Sequence, residues 1–150
     1  MAGSGSDLRI NWEREGFTLD ELDIIEKQAE LFECCQNAHS VDAFDFIEKF
    51  MRSKIADDTA GFSNAQNEEI GKALIDSVGI KPLGDIRYTE SLYWIGYLYR
   101  YWALMGTPSK DVIDVAPVEK AYMLYGGYHT LGLQEAIMRF INGQGSSRFG

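Results

Sequence analysis

The chain is poor in the residues that carry covalent and metal chemistry. It has two cysteines, and they are neighbours, Cys34 and Cys35. Adjacent cysteines cannot staple distant parts of a chain, and a disulfide between them needs a strained geometry, so both read as reduced thiols. With only two histidines beside them, His39 and His129, a closed four-ligand zinc site would consume every one of the four. Cys35 and His39 stand four apart, but Ser40 reads as the start of a new helix and breaks their shared face. The thiols are expected to be packed and inert, and neither metal nor cofactor is called for.

Other absences narrow the function. No apolar run reaches the roughly 18 to 20 residues of a membrane span, and no charged-then-apolar leader opens the chain, so no membrane association is expected and a cytoplasmic location is the default. There is no Gly-rich phosphate loop, no His-Glu-x-x-His, no Gly-x-Ser-x-Gly and no Cys-x-x-Cys, which removes the familiar enzyme classes. The carboxylate pairs Asp57/Asp58 and Glu68/Glu69 would point about 100° apart on a helix and cannot share a proton as a catalytic dyad does. They read as solvated helix-end charges.

Positive charge is also scarce. The net charge is −9, and all of the excess lies between Glu13 and Glu48, where eleven acids face only Arg14 and Lys27. Such a field repels nucleic-acid backbones and attracts basic partners. Direct nucleic-acid binding is therefore not expected.

What the chain has is helical periodicity. At 150 residues and 45% hydrophobic composition it is expected to form one domain over 13–142. The Gly/Ser-rich stretches fall to either side, 1–12 as a flexible N-terminus and 143–150 as a flexible tail. Thr18 and Glu21 form a capping box that opens a helix to about Ala38, with Leu22, Ile25, Ala29 and Phe32 inward. Ser40 is expected to cap a second helix with Phe44, Ile47, Met51 and Ile55 inward, antiparallel to or sharply bent from the first. Residues 59–64 and 80–85 read as loops and 66–78 as a helix. Residues 109–115 and 117–125 suggest two short helices, the second ended by Gly126 and Gly127. Thr130 is expected to cap a last helix that Gly143 stops.

Residues 89–105 hold six of the nineteen aromatics, and their large side chains leave one narrow sector to Gly96, Arg100 and Ala103. A helix apolar nearly all round belongs at the centre of a fold, or turns one half toward a partner. The expected class is all-α, a compact multi-helix domain of five to seven helices around this aromatic helix. Arg100, with Tyr97, Tyr101, Tyr125, Tyr128 and His129, is the candidate partner- or ligand-binding constellation. A guanidinium among phenols can hold a carboxylate or phosphate, or stack at an interface. The structural alternative pairs Arg100 with an acid such as Glu90 or Asp114.

Residues 93–102, YWIGYLYRYW, are followed by the APVE turn of 116–119 and the YHT segment of 128–130. Together with the helix containing FMRSKIA at 50–56, these resemble a family of small bacterial helical proteins associated with toxin–antitoxin and mobile-element neighbourhoods, over about residues 44–141. The resemblance implies an antitoxin-like role and supplies no catalytic residues. Two function classes follow. One is a protein-binding module that neutralises or regulates a partner, such as a basic toxin, and a homo-oligomer is compatible with it. The other is a small-molecule-binding protein or unfamiliar enzyme with a site around Arg100, Tyr97, Tyr101 and His129.

Overall fold

The computed structural model describes residues 9–145, and the outer parts of the two terminal stretches lie outside the described residues. The fold is all-α: α1 Leu19–His39, α2 Ala43–Met51, a 3-10 turn Lys54–Asp57, α3 Thr59–Asn64, α4 Asn67–Val78, α5 Thr89–Leu104, α6 Ser109–Val115, α7 Val118–Tyr128 and α8 Leu133–Gly145. That is eight α-helices among the described residues, more than the five to seven expected. The surplus is α3, read as a loop from the sequence. Asp58 makes it a helix by accepting a hydrogen bond from the Gly61 amide at 3.0 Å, and Phe62, fully buried, anchors it.

The capping box at Thr18 and Glu21 forms as expected. The next helix start does not lie at Ser40. Ser40 instead takes a left-handed φ of 55° that ends α1, and Asp42 caps α2 by accepting from the Asp45 amide at 2.8 Å. Of the expected inward residues of α2, Ile47 and Met51 are buried, joined by Phe46 and Phe50, while Phe44 is only partly buried and Ile55, also partly buried, falls beyond α2 in the 3-10 turn. The stretch 80–85 is tied down by backbone bonds from Asp42 N to Lys81 O and from Leu83 N to Ser40 O, at 2.9 and 3.0 Å. α7 runs through Gly126 and Gly127 to Tyr128. Two glycines cost a helix about 1 kcal/mol each, and Tyr128, at the end of the helix, packs edge-on against Phe140. At the start of the last helix the residue before Leu133 is Gly132, whose carbonyl accepts from Ala136, so Thr130 is not its cap.

The N-terminal limit of the domain also moves. Ile10 packs on the core, and the Asn11 amide donates to Met105 O at 2.7 Å, so this part of the stretch expected to be flexible is docked. The chain passes so close to the end of α5 that a Cβ on Gly106, at φ +124°, would lie 2.0 Å from the Arg9 carbonyl oxygen. Only glycine fits there.

The chief partner of α1 is α5, not α2. Residues Gly96 and Arg100, which the apolar count left as a thin weak sector, lie on the buried side and face α1. A Cβ on Gly96 would come within 2.7 Å of the Ala29 Cα and the Gln28 carbonyl oxygen, so the two backbones touch where glycine leaves room. α5 also packs on α6, α7 and α8, which makes it the centre of the fold.

Candidate functional site

Burial divides α5 into two arcs. At about 100° per residue, Ser91, Leu92, Ile95, Leu98, Tyr99 and Trp102 lie with Gly96 and Arg100 on the buried arc. Tyr93, Trp94, Tyr97, Tyr101 and Leu104 form the other arc and stay half-buried. The tyrosines at 93, 97 and 101 follow one another at four-residue spacing, so they stand in a row.

The chain covers one end of that row itself. Phe17 meets Tyr101 edge-on with ring centroids 5.0 Å apart, and the Arg14 guanidinium sits 4.4 Å over Phe17. Arg14 is held there by Glu21, by Leu104 O at 3.0 Å and by Gly16 O at 3.0 Å. The other end stays open as a groove of about 460 Å³ lined by Glu33 of α1, Glu90, Tyr93, Trp94 and Tyr97 of α5, Tyr125 of α7, and His129 just after it. Its floor is built from ring contacts. Trp94 and Tyr125 meet edge-on at 5.7 Å, and His129 stacks on Tyr125 at 4.3 Å, its Nδ1 donating to the Tyr125 carbonyl at 2.6 Å. Because a carbonyl oxygen can only accept, that bond requires a proton on Nδ1.

Of the six candidate residues, the groove brings together Tyr97, Tyr125 and His129. Tyr101 lies under Phe17, with its hydroxyl accepting from Gln134 at 3.4 Å, and Tyr128 packs on Phe140. Arg100 is on the opposite arc, 2% exposed, and lines a separate recess with Asp57, Thr59 and Thr107. The set Arg100, Tyr97, Tyr101 and His129 therefore does not converge on one cleft. The expected acid partners are also wrong. Asp114 pairs with Arg52 at 2.7 Å, and Glu90 lies at the groove. Arg100 is served by a neutral group: its Nε donates to the Gln28 side-chain oxygen at 2.8 Å, and its guanidinium lies 4.7 Å over the Phe62 ring. The Gln28 amide in turn donates to the Gly96 carbonyl at 3.2 Å, which locks α1 to α5. Burial lowers the Arg100 pKa to about 10, opposed by the charge of Asp57, and the group stays cationic at neutral pH.

The sequence reading missed Tyr93, Trp94, Glu33 and Glu90 as members of the groove. The four-residue spacing of Tyr93, Tyr97 and Tyr101 was the available signal. It also missed Gln28, whose place within the apolar stripe of α1 marks a buried amide that must have partners.

Eight of the eleven acids of the first third separate into two groups. Glu21 pairs with Arg14, Asp45 with Lys49 at 3.1 Å and Glu48 with Arg52 at 2.6 Å. Asp20, Asp23, Glu26, Glu30 and Glu33 on α1 have no ion pair among the described residues, and the first four are exposed. The negative potential is thus concentrated on one side of α1, and it reaches the groove. Tyr93 has its pKa raised first by desolvation and then by Glu26, Glu30 and Glu33.

Cys35 and His39 do share α1, which runs one residue further than expected, but each is occupied. His39 stacks on Phe46 with centroids 6.2 Å apart, and its ring is tight against Gly71. Cys35 is 1% exposed, and burial pushes its thiol up to about 12. Alkylation at neutral pH is therefore expected to give one adduct, on the exposed Cys34, and a second only in denaturant. Two adducts forming at similar rates on the folded protein, counted by mass spectrometry, would contradict the burial of Cys35.

The class defined by this fold is an all-α domain in which an acidic helix face borders an aromatic groove. No helix among the described residues is long and apolar enough to cross a membrane. Comparison with protein-family models, with curated proteins and with solved structures finds no match to this chain, so its functional reading rests on the geometry above.

Proposed function

We propose that the protein is a binding module of antitoxin-like type, which neutralises or regulates a basic protein partner through the unpaired acidic face of α1. The observation that carries this reading is the sorting of the acids. Those of α2 are consumed in ion pairs, whereas Asp20, Asp23, Glu26 and Glu30 stand exposed on one helix and form no ion pair among the described residues, the one lysine of that helix, Lys27, donating instead to the Ala65 carbonyl. A concentrated field of one sign steers an oppositely charged partner and speeds encounter more than it tightens the final complex.

The test uses the product of the adjacent gene as partner. Replacing Asp20, Asp23, Glu26 and Glu30 by lysine is expected to slow association by about tenfold or more and to flatten its dependence on ionic strength. Stopped-flow rates that ignore both the substitutions and the salt would sink the steering role.

A further inference from the structure

We infer that the groove between α5 and α7 receives an arginine side chain presented by a basic protein segment. The inference rests on the binding-module reading and adds the chemistry of its anchor point. Four aromatic side chains, Tyr93, Trp94, Tyr97 and Tyr125, line the groove with the His129 imidazole, which covers one face of Tyr125, and two carboxylates, Glu33 and Glu90, stand with them. Aromatic faces carry negative potential, and a cation held over them within about 6 Å of the centroid is attracted, more strongly once desolvated. The carboxylates add charge of the same sign.

No lysine or arginine lines the groove. Among the described residues, no lysine or arginine lies over any of these four rings, although Arg14, Arg87 and Arg100 cover Phe17, Phe44 and Phe62 elsewhere in the molecule. A flat guanidinium suits the place better than a compact ammonium, because it stacks on rings while its forked N–H groups reach carboxylates. An anion is disfavoured by Glu33 and Glu90, and a neutral apolar side chain would leave their field unused. The volume of about 460 Å³ falls within the range of small binding clefts, about 300–1,000 Å³. The unpaired acids of α1 run up to this groove, so a segment steered by them arrives with its basic side chains beside it.

The test is a titration of the intact protein with a dodecapeptide of alternating arginine and glycine, followed by NMR. Arginine side-chain protons are expected to show NOEs to the Trp94 and Tyr97 rings. Tyr97→Leu, which alters no charge, is expected to weaken binding roughly five- to thirtyfold without changing its salt slope. Replacing Asp23, Glu26 and Glu30 by glutamine should instead flatten the salt slope and leave the NOEs in place. Peptide binding with contacts confined to the exposed face of α1, equal for the parent and Tyr97→Leu, would overturn the groove and leave the acidic face standing. No binding at low ionic strength would overturn both. The NOEs are read on the unsubstituted protein, so the outcome does not depend on how well the variant folds.

Discussion

Trp102→Ala is expected to destabilise the protein by about 3–5 kcal/mol, the range for truncating a fully buried large aromatic side chain. Trp102 has no exposed surface and stacks on Phe140 of α8 at 6.4 Å, in the helix on which α1, α6, α7 and α8 all pack. Removing the indole loses its transfer free energy and leaves a cavity that several helices would have to collapse to fill. Trp94 lies on the other arc of the same helix. It is half-buried and touches Tyr125 only edge-on, so Trp94→Ala should cost roughly half as much while impairing the groove. Urea denaturation with unchanged m-values measures both. Equal shifts would mean that Trp94 is as enclosed as Trp102 and that no open groove exists. Negligible shifts for both would place the whole helix at the surface.

Gln28→Leu is expected to cost about 2–3 kcal/mol, because it deprives the buried Arg100 Nε of its hydrogen-bond acceptor. Arg100→Met should cost about 1–3 kcal/mol by leaving the Gln28 oxygen unpaired. The double variant removes donor and acceptor together and replaces them with apolar groups of similar length. It should cost less than the two singles combined, with a coupling of at least about 0.5 kcal/mol in a double-mutant cycle. Asp114→Asn, decisive if Arg100 were paired with that acid, should stay within about 0.5 kcal/mol because the ion pair of Asp114 is with the exposed Arg52. Strict additivity of Gln28→Leu and Arg100→Met, or a large effect of Asp114→Asn, would refute the assignment of Gln28 as the partner.

Both predictions depend on something periodicity could not supply, namely which side of α5 is inside. Its hydrophobic residues go nearly all round, so the count of apolar positions did not single out one face. The choice is made by steric fit. Gly96 lets α1 approach to backbone contact, and everything within reach of that contact, Arg100 included, is buried with it. A guanidinium that seemed available to a ligand is thereby enclosed, and of the tyrosines grouped with it only Tyr97 and Tyr125 line the groove.

Local chemistry was legible where it acts over three or four residues. The capping box of Thr18 and Glu21 and the bounds of α4, α5 and α6 follow from side chains beside the helix ends and from Gly and Pro placement. Where two local signals competed, tertiary contact decided. Ser40 was expected to cap α2, but the backbone pairing of Ser40 and Asp42 with Leu83 and Lys81 holds Ser40 in a turn and leaves the cap to Asp42.

The amino-acid sequence by itself determined that the chain is helical, that its central helix is the aromatic one, and that its negative charge lies in the first third, because propensity, capping and charge are properties of neighbours along the chain. Only the tertiary structure decided which acids enter ion pairs, which aromatics face outward, and that Arg100 belongs to Gln28. Those outcomes depend on pairs 72 residues apart, as Arg100 and Gln28 are, brought together by helix packing that no local pattern encodes.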